Sequence, residues 1–125
     1  MPTIDDVLAA ARRRLDRVTP EQASGEQSQG ALLVDTRTSE QRARDGVIPA
    51  ALVIDRTVLE WRLDPTSRTR LPQANGHDVR VILICAQGYS SSLAAASLQD
   101  LGLVNATDVV GGFEAWKAAG LPVET

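Results

Sequence analysis

Cysteine occurs once in these 125 residues, histidine once, and aromatic side chains make up only 3% of the chain. A lone cysteine closes no internal disulfide, so no covalent staple supports the fold. With so few rings, the core has to be assembled from Val, Leu, Ile and Ala, the composition of an α/β protein built on a buried parallel sheet. No apolar run approaches the roughly 20 residues of a membrane span or the pattern of a signal segment. The expectation is a soluble, cytoplasmic protein without a membrane partner. An excess of positive charge is also missing. The formal net charge is −3, which argues against nucleic acid as a partner, since phosphate binding needs a concentrated basic face. Arg12, Arg13 and Arg14 form the only basic run, and at helical spacing they read as a solvated face.

What is present fits a single domain, 43% hydrophobic and long enough to bury most of the apolar surface of its unfolded form. Thr3-Ile4-Asp5-Asp6 has the shape of a capping box, and Ile4, Val7, Leu8, Ala11 and Leu15 recur at helical spacing, which predicts an amphipathic first helix. Arg17-Val18 reads as a short edge strand. Thr19-Pro20-Glu21-Gln22 is a second helix start, with Pro at the first helical position. Ala31–Val34 and Ala51–Ile54 are short apolar runs ending at Asp35 and Asp55, the pattern of strands buried on both faces. Between them lies a polar helix from about Ser39 to Arg44, closed by Asp45-Gly46. A helix over Arg56 to Asp64 is stopped by Pro65, and an irregular polar connection from Thr66 to Asp78 holds His77. Val79 to Ile84 is the predicted central strand, Ser91 to Leu101 an Ala-rich helix, Asp108–Val110 a last strand, and Phe113 to Ala119 a final helix. Strands alternating with helices imply a parallel sheet with helices on both faces, joined by right-handed crossovers.

The central strand delivers Cys85. A thiol at the carboxyl end of a buried strand, followed by a short loop and a helix start, meets several backbone N–H groups and the positive end of a helix dipole. Both favour the thiolate, the reactive form. In open α/β sheets ligands gather at the carboxyl ends of the strands. Gly88 permits the backbone angles of a tight cradle in which successive amides share a centre. Ser90 and Ser91 add hydroxyl donors. The alternative, a small buried hydrophobe, is what a free cysteine in a strand usually is.

Cys85-Ala86-Gln87-Gly88-Tyr89-Ser90-Ser91 resembles the active-site loop of single-domain rhodaneses, Cys-x-x-Gly-x-Arg-Ser or Cys-x-x-Gly-x-Ser-Ser. Asp35-Thr36-Arg37 is similar to the family's Asp-x-Arg, Gly46-Val47-Ile48-Pro49-Ala50-Ala51 to its Gly-His-Ile-Pro-Gly-Ala, and Gly111-Gly112-Phe113-Glu114-Ala115-Trp116 through Gly120-Leu121-Pro122-Val123 to its C-terminal signature. These motifs stand in register from about Val18 to Val123. The resemblance implies a rhodanese-like three-layer fold with a five-stranded parallel sheet and helices on both faces. It divides the chain into an appended N-terminal helix, residues 1–17, and one rhodanese domain, residues 18–125. It implies a sulfurtransferase that moves a sulfane sulfur from a small donor anion such as thiosulfate, through a persulfide on Cys85, to cyanide, a thiol or a protein acceptor. No metal or organic cofactor is implied, and the expected state is a monomer or weak dimer.

Ala86 to Ser91 are the expected persulfide-binding loop. Val47 and Ala50 depart from the family's His and Gly in a segment that shapes the chain before a strand. Ser90 stands where many members carry Arg, so the loop holds no charged side chain. Of the arginines after Asp55, Arg62 is the candidate to reach the site. Asp35 either holds the active loop or caps its own turn, and Arg37 is expected to pair with a neighbouring acid. Tyr89 forms a pocket wall or an incidental surface contact. Trp116 belongs to the core and His77 to the surface. Competing classes are a non-catalytic rhodanese-like module that binds or senses sulfur or redox state, and a cysteine-dependent phosphatase. The phosphatase requires Arg six residues after the Cys to clamp phosphate; that position is Ser91.

Overall fold

The computed structural model describes all residues from Met1 to Thr125. Both predicted capping boxes form. The Thr3 hydroxyl accepts from the Asp6 amide at the start of α1 (Ile4–Arg13), and the Thr19 hydroxyl accepts from the Gln22 amide at the start of α2 (Pro20–Ser28). A third box, Thr38 with Gln41, opens α3 (Ser39–Asp45). The strands are β1 (Leu32–Asp35), β2 (Leu52–Val53), β3 (Val81–Ile84) and β4 (Ala106–Asp108). Helices α4 (Leu59–Leu63), α5 (Ser90–Asp100) and α6 (Gly112–Ala118) complete the order.

The sheet runs β2-β1-β3-β4, all parallel, with Leu33 opposite Ile82 and Leu83 opposite Asp108. Because side chains alternate along a strand, the core divides in two. Val34, Val81 and Leu83 face Leu59 and Leu63 of α4 and Ala94, Ala95 and Leu98 of α5. Leu33, Ile82 and Ile84 face Ala23 of α2 and Phe113 and Trp116 of α6. Leu8 and Ala11 bury the inner stripe of α1, which packs on α5. No helix is long and apolar enough to cross a membrane.

The sheet has four strands rather than the expected five. Val18 makes a single parallel bridge to Val109, with its amide on the Asp108 carbonyl at 3.1 Å and its carbonyl accepting from Val110 at 2.9 Å. The ladder stops there because Thr19 turns to cap α2 and Pro20 has no N–H to contribute. β2 is shorter and more exposed than predicted: Val53 is 53% exposed while Ile54 is buried, because β2 lies at the sheet edge. The last strand begins at Ala106, earlier than expected, and Val110 is exposed. The helix expected over Arg56–Asp64 is divided. Asp55 caps the Thr57 amide and forces a 3-10 turn over Arg56–Val58 before α4 begins.

The basic run is not a uniformly solvated face. Arg14 reaches the Ala96 carbonyl and Asp100 on α5, and Arg12 turns toward the loop after β3, leaving only Arg13 exposed without a partner.

Candidate functional site

Cys85 follows the last residue of β3, whose four side chains are completely buried. The strand therefore fixes the thiol at the carboxyl edge of the sheet, between the ends of β1 and β4. The residue is 6% exposed. The Gly88 amide donates to Sγ at 3.2 Å, and the thiol donates to the Ser91 hydroxyl, also at 3.2 Å. Burial pushes the Cys85 thiol up. The Ser91 and Ser90 hydroxyls and the Ser91 and Gly88 amides outweigh it, so the group ionises below the range of an ordinary cysteine.

The cradle is organised from outside. At the start of α6 the Phe113 amide donates to the Cys85 carbonyl at 2.7 Å and the Glu114 amide to the Ala86 carbonyl at 3.0 Å. A trans peptide points its N–H opposite its C=O, so holding those carbonyls outward turns the Ala86 and Gln87 amides toward the inside of the loop. None of the amides of Ala86, Gln87, Tyr89, Ser90 and Ser91 donates to a backbone carbonyl. They are free to face an anion. Gly88 takes φ +83°, and a Cβ there would come within 2.8 Å of the Gly111 nitrogen. Gly112, at φ +59°, leaves even less room: a Cβ would lie 2.5 Å from the Cys85 oxygen and 2.6 Å from the Gly88 nitrogen. The double glycine, which in sequence reads as a tight turn, is the wall on which the loop rests.

Behind the thiol stands a polar network. Asp108, wholly buried, accepts from the Ser91 and Ser92 hydroxyls at 2.7 Å each and from Arg17 Nε at 2.8 Å. The Gly88 carbonyl accepts from Arg12 at 2.6 Å and from Arg17 at 3.0 Å. Arg12, Arg17, Ser92, Asp108 and Gly112 were not legible as site residues. The available signal was an acid and a Gly-Gly pair at the end of a strand neighbouring the cysteine.

Among the expected supporting residues, Arg62 is not at the site. It donates to the Thr69 carbonyl and so ties α4 to the connection after it. Asp35 does not hold the loop, because the Arg37 fork and the Arg37 amide saturate its carboxylate at 2.8 to 3.2 Å. Arg37 pairs with an acid as expected, donates also to the Gly46 carbonyl at 2.8 Å, and lies 3.7 Å over the Phe113 ring. The pair packs on α6 at Phe113 and donates nothing to the loop itself. Tyr89 is 60% exposed beside Arg12, whose guanidinium carbon is 5.4 Å from the ring centre. Trp116 is buried and His77 exposed, as read from the sequence.

The family described as rhodanese-like domain matches residues 19–119. Thiosulfate sulfurtransferase GlpE of Actinobacillus succinogenes is 34% identical over 109 residues, covering 86% of this chain and 89% of the relative. The protein of the same name from Pseudomonas savastanoi is 35% identical and covers 87% and 92%. Among solved structures, a Rhodopseudomonas palustris protein of unknown function, named a possible tyrosine phosphatase, superposes with a TM-score of 0.88 at 33% identity, covering 99% of this chain and 96% of its own.

Proposed function

The chain belongs to the rhodanese-like domain family, and from that premise we propose that it is a sulfurtransferase with Cys85 as the sulfur carrier. The observation that carries this reading is the Gly88 amide on Sγ at 3.2 Å, backed by the inward amides of a loop already organised before any reaction. The Cys85 thiolate attacks the outer sulfur of thiosulfate. A sulfur–sulfur bond forms to Cys85, the sulfur–sulfur bond within thiosulfate breaks, and sulfite leaves with the bonding pair. A thiophilic acceptor then attacks the outer sulfur of the persulfide: cyanide departs as thiocyanate, a thiolate as its own persulfide, and the Cys85 thiolate returns. No net oxidant or reductant is consumed, and both anions of Cys85 sit in the same amide cradle. A lone reactive cysteine suits the reducing cytoplasm.

Incubation with thiosulfate is expected to add one sulfur atom to the intact protein, reversed by cyanide with release of thiocyanate and abolished by Cys85→Ser. Protein left unmodified across a panel of sulfane donors would replace this reading with that of a binding or sensing module. The name of the Rhodopseudomonas relative raises phosphatase chemistry as a second reading. Ser91 supplies no fork for phosphate, and the two guanidiniums nearest the loop are engaged on the Gly88 carbonyl. Hydrolysis of an aryl phosphate that depends on Cys85 would reverse that judgement.

A further inference from the structure

Helix α1 ends before residue 19, where the family match begins, yet it reaches the loop that carries Cys85. Arg12 donates Nη2 to the Gly88 carbonyl at 2.6 Å and Nε to the Ser92 hydroxyl at 3.2 Å. Arg17, just beyond α1, donates to the same carbonyl at 3.0 Å while its fork holds Asp108 at 2.8 and 3.2 Å. Two cations thus hold one neutral oxygen, with the Ser92 hydroxyl a longer third contact at 3.4 Å. Peptide planarity converts this into orientation: with the Gly88 carbonyl fixed toward α1, the Tyr89 amide is fixed toward the opposite side and has no backbone acceptor there.

We propose that Arg12 and Arg17 are positioning residues of the sulfur site, clamping the Gly88 carbonyl on the outer side of the loop so that the Tyr89 amide is held for an anion carried by Cys85. The proposal rests on the reading of Cys85 as sulfur carrier. It supplies what the loop itself lacks, since the charge absent from position 90 enters from the N-terminal segment and acts through the backbone. Arg17 has a second effect. Ser91 has one hydroxyl proton and two claimants, Asp108 at 2.7 Å and the sulfur at 3.2 Å. When Cys85 bears negative charge, that hydroxyl turns to the sulfur, and a buried carboxylate deprived of a donor is costly. Ser92 and the Arg17 fork remain on Asp108, so the turn leaves no bare charge.

The test is the pH dependence of Cys85 alkylation in the full chain, which needs no sulfur donor. Arg12→Met removes one arm of the clamp. Arg17→Met removes the other arm, with the Ser91 and Ser92 hydroxyls still donating to Asp108. Both are expected to raise the thiol pKa by about one unit, leaving about tenfold less thiolate at a fixed pH below it. Arg12→Lys should recover part of the loss, since an ammonium can still donate to Gly88, and Arg13→Met, exposed on the same helix, should leave the profile unchanged. Variants that fold and retain the wild-type alkylation profile would overturn the clamp and reduce α1 to a packing element. Failure of wild-type protein to accept sulfur would overturn the sulfurtransferase reading instead, with the clamp still decided by alkylation.

Discussion

Replacing Gly112 by alanine tests whether the Gly-Gly wall positions the sulfur site or merely turns the chain. The added Cβ would lie 2.5 Å from the Cys85 oxygen, 2.6 Å from the Gly88 nitrogen and 2.8 Å from the Gln87 nitrogen. All are backbone atoms, so no flexible side chain can yield. A left-handed non-glycine residue costs about 1–2 kcal/mol, and forcing a methyl group into packed surroundings about 1–3 kcal/mol more. The expected destabilisation is therefore about 2–5 kcal/mol. Gly120→Ala separates the terms, because Gly120 has φ +74° but nothing within 4 Å of its Cβ. It should cost only the conformational part, about 1–2 kcal/mol. Relief of the Gly112→Ala clash displaces the loop by roughly 0.5–1 Å, and misplacement on that scale can slow a reaction by about 100-fold. Urea unfolding of both variants, with alkylation and sulfur-loading rates of Cys85, checks both halves. If Gly112→Ala loses no more stability than Gly120→Ala and reacts at the wild-type rate, the account of the wall is wrong.

Asp35→Ala leaves Arg37 charged, buried and unpaired, which should cost about 3–5 kcal/mol, measured by urea unfolding, with little change in the alkylation profile of the protein that remains folded. Gly25→Ala, in α2 with nothing within 4 Å of the added methyl, should stabilise by about 0.5–1 kcal/mol, seen as a raised melting temperature. The lowered Cys85 pKa sets a pH signature. The folded state holds the thiolate better than the unfolded chain, so the stabilisation is complete above the unfolded value near 9.0 and fades as pH falls through the folded pKa. Wild-type stability relative to Cys85→Ser should therefore rise as pH increases toward that value, and a difference independent of pH would contradict the lowered pKa.

The parallel sheet, the placement of Cys85 and the helix starts were legible because each is written locally. Four apolar residues before Cys85 are β3, and Thr-x-x-Asp and Thr-x-x-Gln are α1 and α2. What stayed hidden depends on partners distant in the chain. The Arg17-Val18 strand failed to develop because Thr19 and Pro20 had a stronger use in capping α2 than in extending a ladder. In sequence Asp35 suits a loop support as well as a turn cap, but Arg37, two residues away, satisfies its carboxylate completely. Arg62 reads as the candidate among the arginines after Asp55 because that connection follows a strand end, where site residues gather, whereas the arginines that reach the loop, Arg12 and Arg17, lie in the N-terminal segment. Helical spacing shows which face of α1 is polar without showing what that face meets.

This division explains how a loop without a charged side chain can hold an anion. A cation inside the cradle would bind donor, persulfide and departing sulfite alike, which lowers the energy of bound states without favouring the step between them. Amides aimed by carbonyls fixed from outside act instead at the sulfur itself, and their alignment cost is met during folding. In this chain the fixing groups come from α6, through the Phe113 and Glu114 amides, and from Arg12 and Arg17 beside α5. The arginines' charge is spent on the Gly88 carbonyl and, for Arg17, on Asp108, so neither guanidinium is free to meet an incoming anion directly. Under the proposed function, a donor carrying two negative charges would gain little direct attraction, whereas a singly charged persulfide would keep the Gly88 amide and the loop amides that have no backbone acceptor.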